Sequence, residues 1–97
     1  PRILIRGGQA VISFRFKART HQKQVFLCGS WSNWNETKTP MRRQKDGRFA
    51  VLMKLPLARH EYKFRMGDKD KHWLTDPLHK LVVDDSKGGL NSLLDLR

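Results

Sequence analysis

Three tryptophans stand where strand-like segments give way to loops: Trp31 and Trp34 in the run Gly29-Ser-Trp-Ser-Asn-Trp34, and Trp73 just before Thr75-Asp76-Pro77. A large ring left wet at a loop is costly, so each either folds back as a lid on the core or offers a flat platform to a ligand. A pyranose has apolar C–H faces and a rim of hydroxyls. It asks for an aromatic plane flanked by a few hydrogen-bond donors and acceptors. Lys63, outward on its strand, and Asn91, near the start of the closing strand, have the chemistry to supply them, and each is equally readable as a solvated surface residue. Nucleobases also stack on rings within positive grooves, but these tryptophans keep company with Asn33, Asn35 and Asn91 rather than with Arg and Lys.

The other chemistries lack their parts. His21, His60, His72 and His79 are scattered among loops without a second cysteine, so no metal site is expected. Glycoside hydrolysis needs two carboxylates across a cleft. Asp76, Asp84 and Asp85 are the candidates beside Trp73, and Asp76, preceding a proline, reads as a turn cap. No nucleophile elbow, phosphate loop or dinucleotide fingerprint is present. The chain is therefore read as no enzyme by itself, with no catalytic residue and no cofactor. Cys28, the single cysteine, lies in an apolar run and reads as a small core residue.

With 97 residues the chain is one domain with one modest core. Its net charge of +11 draws polyanions, acidic proteins or anionic membrane surfaces without dictating a fold. No apolar run approaches the ~20 residues of a membrane-spanning helix, and no signal peptide is visible, so no membrane partner is expected. The lone cysteine favours a reducing compartment, cytoplasmic or nuclear, where the Asn35-Glu36-Thr37 sequon is inert. A start at Pro1 suggests a piece of a longer protein.

The elements that must hold these residues read mostly as strands. Ala10–Ala18 alternates, with Ile12, Phe14 and Phe16 against Ser13, Arg15 and Lys17. Gln24–Cys28 follows a polar turn over Arg19–Lys23. Asp46-Gly47 is expected to supply the positive-φ positions of a tight hairpin into Arg48–Leu55, which ends at Pro56. Glu61–Met66 alternates again ahead of a charged loop, Gly67–His72. Lys80–Val83 and Leu90–Leu96 read as later strands. Residues 1–9 form a linker or an extra edge strand, and residues 10–97 the domain proper. About six or seven short strands without a helical period indicate an all-β antiparallel sandwich.

The order of these motifs resembles a known family. Val25-Phe-Leu-Cys-Gly-Ser-Trp-Ser-Asn-Trp34, the Phe49–Pro56 strand, His60-Glu-Tyr-Lys-Phe64, Trp73-Leu-Thr-Asp-Pro77 and Leu90-Asn-Ser-Leu-Leu94 look like carbohydrate-binding module family 48, and within it the glycogen-binding domains of AMP-activated protein kinase β subunits. The resemblance implies an early-set immunoglobulin-like sandwich that binds α-1,4-linked glucan such as glycogen or starch without cleaving it, beside other domains or subunits of a kinase-type complex. By motif, Trp34 and Trp73 match the family's stacking tryptophans, and Lys63 and Asn91 its hydrogen-bonding residues. Trp31 falls where relatives carry Phe and is expected to support the loop.

Three departures stand out. Lys87 and Gly89 replace a leucine and a threonine that touch the sugar, Ser92 replaces a second asparagine, and the loop before Trp73 is longer and more charged. The competing reading is a regulatory domain with a decayed sugar site and a basic face for an acidic partner. Nucleic acid remains a reading only if the basic residues converge on the tryptophan face.

Overall fold

Strands form where one side of an alternating segment can be buried. The described residues, 1–18, 22–67 and 71–97 of this computed structural model, hold nine of them and no α-helix. In chain order they are β1 (Arg2–Arg6), β2 (Gln9–Phe16), β3 (Val25–Gly29), β4 (Arg42–Arg43), β5 (Phe49–Pro56), β6 (Arg59–Met66), β7 (His72–Leu74), β8 (Val82–Asp84) and β9 (Leu90–Asp95). One sheet has the order β1-β2-β5-β4, the other β3-β6-β9-β8 with β7 beside the far end of β6. All pairings are antiparallel, giving the immunoglobulin-like β-sandwich expected.

Two strands, β4 and β7, escaped the alternation reading for physical reasons, whereas β1 is the edge strand that was one of the two readings of residues 1–9. β4 and β7 are too short to show a pattern, being two and three residues long. β1 has all five residues exposed and is held by its hairpin to β2. Gly7 and Gly8, with φ of 55° and 78°, supply the twist that such a two-residue hairpin needs. The strand expected over Lys80–Val83 begins later, at Val82. At Asp46-Gly47 only Gly47 is positive in φ, at 85°. Asp46 instead accepts the Arg48 N–H at 3.0 Å, because the loop is longer than a two-residue turn. Residues 19–21 of the Arg19–Lys23 turn, His21 among them, and residues 68–70 of the Gly67–His72 loop lie outside the described residues.

The core lies between the sheets. Ile12, Phe14 and Phe16 of β2 and Phe49 and Leu55 of β5 face Leu27, Tyr62, Phe64 and Leu94. The ring of Phe14 meets Tyr62 edge-on at 5.0 Å and Phe16 meets Phe64 at 4.7 Å, contacts that add about 0.5–1.5 kcal/mol each beyond area burial. β3 is buried on both sides. Its outward Phe26 lies under the Arg65 guanidinium, 4.6 Å from the ring centroid, and Cys28 is buried, which pushes its thiol pKa up as befits a core residue.

One buried polar chain ties the core to the loop that follows Trp73. The Tyr62 hydroxyl donates to Asp76 Oδ2 at 2.8 Å, and the Asp76 N–H donates to Ser92 Oγ at 2.7 Å. Asp76 Oδ1 accepts the Leu78 N–H at 2.9 Å, the turn-capping role read from Asp76-Pro77. Burial, and then the adjacent carboxylate, hold the Tyr62 phenol far above its usual range, so it remains a donor.

Tyr62→Phe keeps the ring and deletes the donor, leaving Asp76 buried and short of a partner. The expected cost is about 1–3 kcal/mol of unfolding free energy. Urea denaturation followed by circular dichroism measures it, and an unchanged midpoint would show the bond to be dispensable.

Candidate functional site

Side chains alternate across a strand, so the pleat of β6 that buries Tyr62 and Phe64 must turn Glu61, Lys63 and Arg65 outward. Register brings their neighbours to the same face. Trp73 of β7 lies opposite Arg65, and Asn91 of β9, next to Ser92 opposite Tyr62, comes alongside Lys63. Three of the four residues read as a site are thus arranged by strand pairing alone.

Trp34 arrives by a loop. After β3 the chain makes one 3₁₀ turn, Ser30–Ser32, and Asn33 and Trp34 then adopt left-handed backbone with φ of 54° and 60°. Asn tolerates that region, whereas for Trp it costs roughly 1–2 kcal/mol. The Trp34 N–H donates to the Gly29 carbonyl at 3.0 Å, and Ser30 Oγ accepts the Glu61 N–H at 3.0 Å, which pins the loop to β6.

Trp31 takes the supporting role expected of it. Its ring packs 6.0 Å from Phe14 and edge-on to His60 at 5.9 Å. It also lies against Gly29, where a Cβ would come within 2.5 Å of the indole. Gly29 is therefore required by close approach rather than by φ.

These elements meet at a cleft of about 500 Å³ lined by Trp34, Lys63, Trp73 and Asn91 together with Glu36, Asp85 and Lys87. Trp34 is half-buried and Trp73 is 39% exposed, so both indoles present surface to it. Sequence reasoning missed the acidic partners. Lys63 Nζ lies 2.9 Å from Asp85 Oδ2, with the two side chains only 17% and 13% exposed. Asp85 Oδ1 accepts the N–H groups of Lys87 at 2.8 Å and Gly89 at 2.9 Å, closing the turn before β9. A Cβ at Gly89 would lie 2.7 Å from Asp85 Oδ2. Asn91 Nδ2 donates to Glu61 Oε1 at 3.0 Å. Arg65 donates to the Glu36 carbonyl, and Lys71 Nζ lies 2.7 Å from Glu36 Oε1. Acidic residues at the start of the Asp-Asp-Ser-Lys-Gly-Gly turn are the available signal, and from sequence they are equally readable as catalysts.

The three carboxylates considered for hydrolysis are each held in place: Asp76 by Tyr62, Asp84 by the Ser86 N–H, Asp85 by Lys63. Two of the described histidines are likewise bonded to backbone, His60 to the Pro56 carbonyl and His79 to the Leu93 carbonyl, while His72 is exposed on β7. Among the described residues no group of three metal-ligating side chains assembles. Of the cations beside the tryptophans, Lys63 is paired with Asp85, and Arg65 and Lys71 with Glu36.

Residues 12–97 match the family model described as the glycogen recognition site of AMP-activated protein kinase. The chain is similar to the 5'-AMP-activated protein kinase subunit beta-2 of Homo sapiens, 35% identical over 75 residues that cover 77% of this chain and 25% of that protein. It is also similar to subunit beta-1 of Rattus norvegicus at 32% over 75 residues, with the same coverage. Subunit beta-1 of Sus scrofa is 33% identical over 75 residues, 77% of this chain and 56% of that protein. The chain spans about a quarter of the length of the first two.

The Lys63 ammonium, followed by the Lys87 and Gly89 N–H groups, lowers the Asp85 carboxyl to about 2. A folded pKa below the unfolded value of about 3.9 means the unfolded chain takes up this proton first. The stabilisation is present above about pH 4 and lost as pH falls toward 2. A carboxyl ¹³C titration of Asp85 is expected to show a midpoint near 2, moving upward in Lys63→Met. A wild-type midpoint at the ordinary value would contradict the pairing.

Proposed function

This chain belongs to the family of glycogen recognition sites of AMP-activated protein kinase, and from that membership we infer that it is a noncatalytic carbohydrate-binding module for α-1,4-linked glucan of the glycogen or starch type. The observation that supports a site is the meeting of Trp34, Trp73, Lys63 and Asn91 on one cleft. In this reading Trp34 and Trp73 are the platforms on which the apolar faces of successive glucose units stack. Lys63 and Asn91 bond the hydroxyl rim between them.

Neither polar residue is consumed by its partner. Lys63 has three donors and gives one to Asp85, and Asn91 gives one amide hydrogen to Glu61. The pairing fixes both side chains before sugar arrives, which lowers the ordering cost of binding. Lys87 on the rim replaces an apolar clamp with an ammonium, so affinity is set mainly by the two indoles. In a longer protein the module would act by targeting or regulation, and the similarity to AMP-activated protein kinase β subunits supports a place beside kinase subunits in the cytoplasm, where glycogen is stored.

Maltoheptaose added to the chain is expected to change tryptophan emission with a Kd of about 1 mM or tighter, and a β-1,4-linked glucan should not. Trp34→Ala and Trp73→Ala are each expected to weaken binding about tenfold or more, a loss of about 1.4 kcal/mol. No response at millimolar oligosaccharide would sink the sugar assignment and leave the regulatory reading.

A further inference from the structure

Asp85 lines the cleft together with Lys63 and Asn91, and its pairing with Lys63 makes it a counter-ion. Its geometry is more specific than a counter-ion needs. Oδ1 is filled, since it accepts the N–H groups of Lys87 at 2.8 Å and Gly89 at 2.9 Å. Oδ2 accepts from Lys63 Nζ at 2.9 Å, and a carboxylate oxygen has room for a second donor. The bare backbone at Gly89 makes the space that Oδ2 occupies, for a Cβ there would lie 2.7 Å from it. Gly89 has no positive φ, so the close carboxylate rather than backbone conformation excludes a side chain at that position. The departure at Gly89 and the presence of Asp85 are therefore one feature. The other carboxylate of the cleft differs, since the Glu36 side chain is 42% exposed where that of Asp85 is 13% exposed.

We propose that Asp85 itself touches the sugar, its Oδ2 accepting a glucose hydroxyl that the Lys63 ammonium holds at the same time. The assignment rests on the glucan reading above and adds to it the acceptor that Lys63 lacks, because an ammonium can only donate. A hydroxyl that accepts from a cation has its own hydrogen polarised, and it is held most firmly where an acceptor stands within reach of that hydrogen. Oδ2, 2.9 Å from the same ammonium, is such an acceptor. A hydroxyl-to-carboxylate bond is charge-assisted and stronger than a neutral one. The Lys63 ammonium, followed by the two N–H groups, holds the Asp85 carboxyl at about 2, so it is ionised and ready to accept at neutral pH. Those N–H groups also fix it before sugar arrives, which keeps the ordering cost of the contact low. A paired donor and acceptor of this kind selects for a ring that carries a hydroxyl at that point and against one that lacks it.

Titration of the 97-residue chain with maltoheptaose, followed by NMR shifts, tests this. Asp85→Asn keeps the side-chain shape and an acceptor for the two N–H groups, and it should weaken binding about fivefold or more. Asp46→Asn, an equal change of charge at an exposed position on the loop between β4 and β5, should leave affinity unchanged. If Asp85 acted only by holding Lys63, its loss would cost nothing once Lys63 is gone. In Lys63→Met the same Asp85→Asn change is instead expected to weaken binding again, by about threefold or more. Gly89→Ala, which keeps the carboxylate but crowds Oδ2, should also weaken binding, and it carries the test if the asparagine variant does not fold. Unchanged affinity in Asp85→Asn or in Gly89→Ala, or no further loss in the Lys63→Met background, overturns the assignment and leaves the glucan reading standing. Absence of binding by the unaltered chain removes both.

Discussion

Consecutive side chains of a strand must point to opposite sides of the sheet, and in β6 that constraint makes core and cleft one construction. His60, Tyr62, Phe64 and Met66 go inward while Glu61, Lys63 and Arg65 go outward. The same strand pairs with β3, β7 and β9, the elements that lead to Trp34, carry Trp73 and carry Asn91. A slip of one residue in this register would exchange the two faces. The buried bond from Tyr62 to Asp76 holds the chain just beyond Trp73 at fixed depth, and the Ser30 hydroxyl does the same for the tryptophan loop against Glu61.

What could be read from the sequence follows from this. Alternation is local, so β2, β5 and β6 were legible to within a residue or two, and with them the inward aromatics and the outward Lys63. Trp73 and Asn91 were found through the order of motifs. Their partners were not, because Lys63 meets Asp85 across 22 positions and Asn91 meets Glu61 across 30, and nothing local announces such pairs. Asp85 shows the limit well. A carboxylate near an aromatic looks the same in sequence whether it is a catalyst, a turn cap or the counter-ion of a lysine, and only the distances decide.

The two tryptophans that open the loop show the opposite case. Trp31 and Trp34 are alike in type and close in sequence, yet the first covers Gly29 and leans on Phe14 while the second lines the cleft. The distinction depends on the two left-handed residues, Asn33 and Trp34, that end the 3₁₀ turn. Backbone strain of this kind persists only where surrounding contacts over-determine it. Here the Gly29 carbonyl, reached by the Trp34 N–H, and the packed Trp31 ring supply them.

Charge is organised in the same two-sided way, and this bears on how +11 should be understood. Around the cleft Lys63 is paired with Asp85, and Arg65 and Lys71 with Glu36, while Lys87 lines it without an ion pair among the described residues; a neutral ligand can join the paired network, which is already satisfied and rigid. Five further cations, Arg2, Arg6, Arg15, Arg42 and Lys54, stand exposed on the outer face of the other sheet, whose strands carry no carboxylate. Stacking of a neutral ring on an indole involves no ionic charge, so binding of that kind would depend only weakly on ionic strength, whereas contacts made by unpaired surface cations would follow it.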